Sequence, residues 1–400
     1  MFISVEEALK IIENIPVCEK EEQVSVYDCC GRTAAKDLAA LISQPPFPRS
    51  PLDGFAFRSE DVKGASKESP AVLKQIGEAL AGCSTKFFVG ESQCIRLMTG
   101  SPIPEGTDAV IGIEDARWDA EGNVEILKEV KHYGNYVFAG EDFREGQILC
   151  SKGDKIDAAA AGCLAAAGYS LVPVCRRPRV AVMATGSEIA SPGSPLQHGR
   201  IYDSNSVYIT SRLKQMGFEA SGCIIKDDKE EIKSRLKELI AECGDGGLVI
   251  TTGGVSVGDA DYMPLVLEEL KAKILFRGVA LKPGSPLMLG VTEGCYVLCL
   301  SGNPYAAAAT FELFARAVLE RLSGEAVAMK IAEGSLSCSF EKGSGVPRFL
   351  RARLEEGQII SPEGHSSGQL YTMHGCTCFA QLPAGPGPYP KGTKLKVYII

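Results

Sequence analysis

Hydrophobic and amphipathic stretches alternate between residues 176 and 324. Short apolar runs there predict buried strands, and longer stretches with apolar positions three or four residues apart predict helices. The predicted strands are Arg179–Ala184, Phe218–Ile225, Leu248–Thr251, Ile274–Phe276 and Tyr296–Leu300, and the predicted helices are Asn205–Met216, Lys229–Glu242, Tyr262–Lys271 and Pro304–Leu322. This alternation is typical of a parallel sheet between two helical layers, with ligands bound at the C-terminal ends of the strands.

The flanking regions follow other patterns. From the proline-rich stretch Gln44–Pro51 to about Val137, short apolar or alternating runs broken by glycine predict a β-rich domain. After Gly324 three short strand candidates predict a small β-barrel or sandwich: Arg348–Leu354, Thr377–Gln381 and Lys394–Ile400. At the N-terminus Ser4 and Glu7 form a capping-box pattern that predicts a helix ending near Asn14. The expected fold class is therefore α/β plus β, with several domains.

Composition narrows the function classes. The 400 residues carry a formal net charge of −8, which disfavours a broad nucleic-acid surface. No apolar run reaches the length of a membrane span, and the first residues lack the pattern of a secretory signal. The fifteen cysteines are scattered and form no C-x-x-C pair, which favours reduced thiols over a zinc site. We expect a cytoplasmic protein that binds neither nucleic acid nor membrane.

The glycine-rich segment Thr251–Asp261 is the strongest chemical signal. It joins a predicted buried strand to a predicted helix, and such a turn presents backbone N–H groups to a phosphate. The residues expected to contact the ligand here are Thr252, Gly253, Gly254, Ser256 and Gly258. The acidic residues that follow suit a Mg²⁺ ion carried by that phosphate, because hard cations take carboxylate oxygens.

Polar turns also follow the other predicted strands. They place Glu188, Asp227 and Asp261 at one edge of a parallel sheet, where we expect them to converge on one crevice. Asp227 also fits the N-cap of the next helix, and this alternative stays open. Lys282, in a proline-rich turn, is placed to pair with an anion but also fits an ordinary solvated charge.

Three further segments carry candidate side chains outside the α/β region. Asp53 follows a stretch with four prolines, Thr99 lies in a stiff loop, and Asp142 lies in the segment Gly140–Arg144. Taken singly, each segment also fits an ordinary turn with no chemical role.

Together, in this order and spacing, these segments resemble the molybdopterin molybdenumtransferase family, which includes bacterial MoeA and the E-domain of gephyrin. The matching stretches are PLDGFAFR, RLMTGSPIPEGTDAVIGIED, GEDFREGQIL, RPRVAVMATGSEI, GRIYDSNS, LVITTGGVSVGDADY, VALKPGSPLMLG and SGNPYAAAATFE. The glycine turn alone is shared with the wider molybdopterin-binding fold, including adenylyltransferases.

The resemblance implies a set of domains and an assembly. It implies a helix at 1–21 that packs on the α/β domain, a linking domain at 22–45 and 140–175, a β-rich domain at 46–139, a three-layer molybdopterin-binding α/β domain at 176–324 and a β-barrel at 325–400. It also implies a homodimer whose active site lies between the α/β domain of one subunit and the β-rich domain of its partner. A molybdopterin adenylyltransferase is a candidate partner.

The resemblance further implies the reaction and the residue roles. The family inserts molybdate into adenylylated molybdopterin and releases AMP, with Mg²⁺ required. Glu188, Asp227 and Asp261 match positions that hold the metal or orient the diphosphate, while Asp53, Thr99 and Asp142 match positions on the other face of the cleft. The oxyanion-binding turns match Lys282, Pro283 and Ser301, and the positions that close over the anion match Arg348 or Arg351 and Ser367.

The chain departs from the family pattern at three positions. Ser285 replaces a second lysine, Gly278 stands where some members have lysine, and Ser301 replaces a proline. These changes affect the expected affinity for the anion, and Arg277 is a candidate substitute cation. Two alternatives to the insertase remain, an adenylyltransferase or related nucleotide-cleaving enzyme of the same fold and a non-catalytic scaffold.

Overall fold

The computed structural model describes residues 2–17, 20–82, 87–255 and 261–400. They form two compact units, each described by itself. The sheet–barrel unit comprises Met1–Glu22, Gly31–Ala35 and Pro173–Ile400, and the β-rich unit comprises Gln23–Cys30 and Lys36–Val172. Strands Glu21–Ser25 and Leu171–Cys175 run across the boundaries. Within the described ranges, none of the helices combines the length and the apolar character needed to span a bilayer.

The sheet–barrel unit contains most of the regular structure. Its helices are Val5–Glu13, Asn205–Gln215, Lys229–Cys243, Met263–Glu269, Pro304–Thr310 and Arg316–Ser323, with a π-helical turn at Phe311–Ala315 between the last two and a 3-10 turn at Tyr371–Met373. Its strands are Val180–Thr185, Ile189–Ala190, Ile201–Tyr202, Ala220–Ile225, Leu248–Thr252, Lys273–Arg277, Met288–Thr292, Cys295–Leu300, Lys330–Leu336, Arg348–Glu355, Gln358–Ile360, Cys378–Leu382 and Lys394–Ile399.

A six-stranded sheet forms the centre of the α/β part. Strand Val180–Thr185 is fully buried, and its successive side chains enter different cores because they alternate between the two faces of the sheet. Val180 and Val182 pack with helix Asn205–Gln215, whereas Ala181 and Met183 pack with helix Lys229–Cys243. The predicted three-layer architecture is confirmed.

The expectation of a purely parallel sheet is wrong. Ala220–Ile225, Val180–Thr185, Leu248–Thr252 and Cys295–Leu300 are parallel neighbours in that order. Met288–Thr292, which the sequence pattern did not predict, pairs antiparallel with Cys295–Leu300 and with the edge strand Lys273–Arg277. A short turn at 293–294 makes this hairpin, whereas a parallel neighbour needs a longer crossover. The edge strand again runs in the common direction, so the turn after it lies at the same edge as the other strand-end turns.

The first helix packs on the α/β part. Ser4 and Glu7 form the predicted capping box, with the Ser4 N–H donating to Glu7 Oε2 at 2.7 Å and the Glu7 N–H donating to Ser4 Oγ at 3.1 Å. Ala8 and Ile12 are fully buried in the same core as Val182. Burial of this apolar face attaches the N-terminus to the sheet.

The C-terminal region forms a closed five-stranded barrel, which the sequence predicted as a barrel or a sandwich. Its interior contains Leu350, Ala380 and Val397, while Phe349 and Phe379 point the other way into the core of the α/β part. Side chains that alternate along the barrel strands therefore pack into two different cores. One core is the barrel interior, and the other is shared with the central sheet.

The β-rich unit is organised around a second six-stranded sheet. The six strands of this sheet are Gly54–Phe57, Ala71–Ala79, Gln93–Leu97, Ala109–Gly112, Ala116–Trp118 and Val124–Ile126, and strands Leu38–Ala39 and Ile148–Cys150 form a separate pair. The unit also contains the helix Ala158–Ala166 and 3-10 turns at Val26–Asp28, Ser59–Val62 and Ile113–Asp115. Strand Gly54–Phe57 lies between Ala109–Gly112 and Gln93–Leu97 and is fully buried. The segment before it is therefore attached to an interior strand of the sheet.

Candidate active site

A cleft of about 810 Å³ opens at the C-terminal edge of the central sheet. Each wall is a turn that follows a strand. The lining includes ten residues predicted from the sequence: Glu188, Asp227, Asp261, Lys282, Pro283, Ser301, Thr252, Gly253, Gly254 and Ser367. The structure thus brings ten of these residues to one cleft, at the edge where parallel sheets bind ligands.

The glycine turn forms the base of this cleft. Gly253 has φ +91°, and a Cβ atom there would overlap the carbonyl oxygen of Thr185 on the neighbouring strand end. The Gly253 N–H donates to the carbonyl oxygen of Leu300 at 3.1 Å. Only glycine satisfies both the dihedral angle and the close approach. The predicted contacts of Ser256 and Gly258 fall outside the described residues.

The carboxylate of Asp227 is held by the neighbouring turn. Its Oδ2 accepts from the Ser187 N–H at 2.9 Å, and the Asp227 N–H donates to Ser187 Oγ at 3.1 Å. The alternative in which Asp227 caps the next helix is wrong, because Asp228 is the N-cap and accepts from the Glu231 N–H at 2.9 Å. Asp227 is therefore positioned by the cleft rather than by the helix.

The acidic residues line the cleft without forming a closed metal site. Among the described residues no group of three or more His, Cys, Asp or Glu side chains is arranged to hold one metal ion. Glu188, Asp227 and Asp261 supply hard oxygen ligands to the same space, and Mg²⁺ in phosphate sites uses one or two carboxylates together with phosphate oxygens and water. The residues present therefore fit a Mg²⁺ ion that arrives with a phosphorylated ligand.

Lys282 supplies positive charge to the cleft. Of the described residues that line it, Lys282 is the one lysine or arginine, and its side chain is exposed. Its backbone is fixed to the barrel strand, because its N–H donates to the carbonyl oxygen of Pro347 at 2.9 Å and its carbonyl oxygen accepts from the Phe349 N–H at 2.8 Å. An ammonium group on a fixed backbone is suited to an anionic ligand.

Two of the three departures from the family pattern lie in well-defined surroundings. The Ser285 hydroxyl donates to the Leu281 carbonyl oxygen and so closes its own turn. A Cβ atom at Gly278 would overlap the ring of Phe2, which leaves no room for a lysine. Arg277 is not part of the described lining, so it adds no cation to the cleft.

Two buried residues in the lining were missed by sequence reasoning. Asp203 accepts from the Ser206 N–H at 3.0 Å and from the Ser206 hydroxyl, which joins the segment before helix Asn205–Gln215 to its first turn. Asn205 donates from Nδ2 to the carbonyl oxygen of Gly302 at 2.8 Å. Both lie in the quoted stretch GRIYDSNS, whose polar run between a short strand and a helix was the available signal.

The two arginines predicted to close over the anion are not in the cleft lining. Arg351 is fully buried, with its terminal nitrogens donating to the carbonyl oxygens of Gln369 at 2.6 Å, Gly364 at 3.0 Å and Ser366 at 3.1 Å. Arg348 is 8% exposed and packs over Phe340. Arg351 thus fixes the loop that carries Ser367 instead of contacting the cleft.

Asp53 and Thr99 meet in the β-rich unit. Asp53 Oδ1 accepts from the Thr99 N–H at 2.6 Å and from the Thr99 hydroxyl at 2.7 Å. These hydrogen bonds, that of the backbone N–H first, lower the pKa of the exposed Asp53 carboxyl below its ordinary value. A Cβ atom at Gly54 would overlap the Ile111 carbonyl oxygen, so the Asp-Gly pair is needed where two strands approach closely.

Asp142 lies in the same unit on an exposed turn. Its N–H donates to the carbonyl oxygen of Gln44 at 3.0 Å, while the adjacent Glu141 carboxylate accepts from the Phe138 N–H at 2.9 Å. The turn is therefore ordered by its neighbours, and the Asp142 side chain is exposed to solvent.

Three family models match the chain. Residues 3–168 match the MoeA N-terminal region (domains I and II), residues 181–321 match a probable molybdopterin-binding domain, and residues 333–400 match the MoeA C-terminal region (domain IV).

Similar proteins align with nearly the whole chain. The chain is 35% identical over 402 residues to a molybdopterin molybdenumtransferase of Staphylococcus epidermidis, with 99% of this chain and 95% of that protein covered. The same name belongs to a Staphylococcus aureus protein that is 33% identical with the same coverage. A solved molybdopterin biosynthesis MoeA protein from Pyrococcus horikoshii superposes with a TM-score of 0.85 at 30% identity, covering 100% of this chain and 99% of that one. The chain belongs to the molybdopterin molybdenumtransferase family.

Proposed function

We propose that the protein inserts molybdate into adenylylated molybdopterin and releases AMP. The observation that carries the proposal is the single cleft in which the glycine turn, three predicted carboxylates and Lys282 face the same space. Family membership supports the substrate class, because the relatives are named for molybdenum transfer to molybdopterin.

The residues of the cleft divide between the two anionic groups of the reaction. The backbone of the glycine turn suits the diphosphate, since N–H groups at a strand-to-helix turn bind phosphate oxygens. The Lys282 ammonium and the Ser301 hydroxyl suit oxygens of the tetrahedral molybdate. Breaking the phosphoanhydride bond leaves negative charge on the oxygens of AMP, and Lys282 stabilises charge that develops nearby.

The acidic lining requires a counter-charge. Glu188, Asp203, Asp227 and Asp261 bring carboxylates to a cleft whose described lining has one lysine, so an anionic substrate meets an unfavourable field. A Mg²⁺ ion bound with the diphosphate would supply Lewis-acid stabilisation of the phosphate oxygens. Glu188, Asp227 and Asp261 are the residues that would hold it, and Asp227 is already oriented by Ser187.

We also propose that the β-rich unit of a second copy completes the site, as the resemblance implies. Asp53 is exposed and kept ionised by Thr99, and Asp142 is exposed on its turn, so these carboxylates are available to a partner chain. A homodimer is the assembly proposed, with a molybdopterin adenylyltransferase as a candidate supplier of substrate. The described cysteines are all free thiols, which supports a reducing cytoplasmic location.

The direct test is AMP release by the purified full-length protein. Incubation with adenylylated molybdopterin, molybdate and Mg²⁺ should release AMP, measured by chromatography. Omission of Mg²⁺ and the variant Asp261→Ala should each reduce the rate by about a hundredfold. Absence of AMP release under complete conditions would contradict the proposal, and formation of pyrophosphate from ATP and molybdopterin would instead indicate the adenylyltransferase alternative.

A further inference from the structure

The amide of Asn205 has a fixed orientation in the wall of the cleft. The residue is 8% exposed, and its Nδ2 donates to the carbonyl oxygen of Gly302 at 2.8 Å. Its Oδ1 is buried and has no hydrogen-bond partner within the described residues. Exchange of the two amide atoms would put Oδ1 against the Gly302 oxygen, so the observed orientation is the only one that makes a hydrogen bond to that carbonyl.

The donated hydrogen bond is the contact through which Asn205 reaches the turn at Gly302. An apolar side chain of similar size at position 205 would leave the Gly302 carbonyl oxygen without this donor, and loss of one such hydrogen bond costs free energy. The amide of Asn205 therefore helps to fix the position of the Gly302 backbone.

Gly302 is held from two sides and directly follows Ser301 in the chain. A Cβ atom at Gly302 would lie 3.4 Å from the Cα atom of Gly253, so the two strand-end turns are in contact. Asn205 holds the opposite side through the carbonyl group. The Ser301 Oγ accepts from the Asn303 N–H at 3.4 Å, which leaves its O–H free to donate to a ligand.

The helix that carries Asn205 is itself anchored. Asp203 accepts from the backbone and the side chain of Ser206 in the first turn, so the N-terminal end of helix Asn205–Gln215 has little freedom. Asn205 is the first residue of this helix, so its side chain holds the Gly302 carbonyl group against a helix end that is itself fixed.

We propose that Asn205 is a positioning residue that, through Gly302, directs the Ser301 hydroxyl toward the tetrahedral oxyanion substrate. The inference rests on the proposed function in treating Ser301 as a ligand of molybdate. Asn205 does not contact the substrate in this scheme, and its loss lowers oxyanion affinity without changing affinity for the nucleotide part.

The test is a double-mutant cycle between Asn205→Leu and Ser301→Ala in the full-length protein. Asn205→Leu keeps the approximate size and removes the donated hydrogen bond without adding charge. Asn14→Leu is the matched control, because Asn14 Nδ2 makes the same kind of bond to the Lys10 carbonyl oxygen at 3.0 Å in the first helix. Molybdate binding is measured by equilibrium dialysis with metal analysis, AMP binding by calorimetry, and AMP release by steady-state kinetics.

We expect Asn205→Leu to weaken molybdate binding about tenfold and to raise the KM for molybdate similarly, with AMP affinity and thermal unfolding close to those of Asn14→Leu. In the Ser301→Ala background Asn205→Leu should have little further effect. Should Asn205→Leu fail to fold, Asn205→Asp replaces it, since the cycle cancels the effect of its charge.

Each outcome decides a separate question. Equal effects of Asn205→Leu in both backgrounds, or unchanged molybdate affinity, would overturn the positioning role, as would absence of molybdate binding by the unaltered protein. Failure of the unaltered protein to release AMP, with molybdate binding and coupling intact, would overturn the proposed reaction and leave the positioning role standing.

Discussion

The cleft of the sheet–barrel unit and the Asp53–Thr99 turn of the β-rich unit hold their carboxylates by different means. In the cleft, Glu188, Asp227 and Asp261 come from three strand-end turns that are far apart in sequence. In the β-rich unit, one carboxylate receives two hydrogen bonds from one residue. The first arrangement brings carboxylates from three turns into one space, whereas the second is a direct contact between one carboxylate and one residue.

The two arrangements differ in what surrounds each carboxylate before a ligand binds. Asp53 has its pKa lowered by Thr99 before any ligand arrives. The cleft collects several carboxylates in one space, where the proposed Mg²⁺ ion would bring them opposite charge. We therefore expect loss of either arrangement to stop catalysis, but for separable reasons.

The largest expected effect on AMP release comes from two variants, one altered in the cleft and the other at the Asp53–Thr99 turn. Lys282→Ala and Asp53→Ala should each lower AMP release about a hundredfold, because each removes a charged group from the reacting site. If two copies complete each other, refolding an equal mixture of the two variants should restore about a quarter of the wild-type rate, because half of the dimers then contain one intact site.

A mixture that stays as inactive as its components would contradict the two-copy site. Size-exclusion chromatography should show the same oligomeric state for both variants and for the mixture.

Substitution of Gly253 should distort the backbone turn that lines the cleft. Gly253→Ala combines φ +91° with an overlap on Thr185 and should lower the free energy of unfolding by more than ~3 kcal/mol and also reduce AMP release. Gly392→Ala is the control, since it has φ +85° with no atom within 4 Å of its Cβ and should cost only about 1 kcal/mol. Urea unfolding measures both, and similar losses would show that the contact with Thr185 is unimportant.

Adjacent aspartates should separate function from stability. Asp227→Ala should lower AMP release at least about tenfold while changing the free energy of unfolding by less than about 1 kcal/mol. Asp228→Ala removes the N-cap of helix Lys229–Cys243 and should cost about 1 kcal/mol with activity retained. Paired measurements of kcat/KM and urea unfolding check this, and the reverse pattern would restore the capping interpretation of Asp227.

The smallest effect is expected at Thr99. The pKa of Asp53 is lowered in the fold, so its stabilising contacts are present above the ordinary carboxyl pKa and are lost as pH falls through the lowered value. Thr99→Val removes the hydroxyl contact and keeps the larger backbone one, so the pKa should rise only part of the way. Carbon-13 NMR titration of the Asp53 carboxyl measures the shift, and an unchanged pKa would assign all of the lowering to the backbone N–H.

Much of the α/β region was predictable because its signals are local. The predicted strand Leu248–Thr251 is observed as Leu248–Thr252, and the predicted helix Lys229–Glu242 as Lys229–Cys243. Strand Met288–Thr292 was missed because its apolar run adjoins a proline-rich turn and reverses direction through a short hairpin. The domain boundaries implied by the resemblance stay a prediction.

Site residues in turns after strands were predictable from the sequence. Residues whose role depends on how deeply their side chains are buried were less predictable. Gly253 directly follows strand Leu248–Thr252, Lys282 lies in the turn after strand Lys273–Arg277, and the structure places both in the cleft. Arg351 was predicted as an anion ligand because of its charge. Its guanidinium group instead donates to three carbonyl oxygens and packs over the ring of Tyr305. Asn205 was missed because a lone amide after a short strand has no distinguishing pattern until Gly302 is seen beside it.

The backbone bonds between Lys282 and the barrel strand bear on how such chains can recombine. A barrel exchanged between relatives must offer a carbonyl group and an N–H at positions equivalent to Pro347 and Phe349, or the lysine loses its support. It must also fill the space of Phe349 and Phe379 in the core of the α/β part. We therefore expect chimeras with a foreign C-terminal module to lose anion binding unless the lysine turn is transplanted together with it.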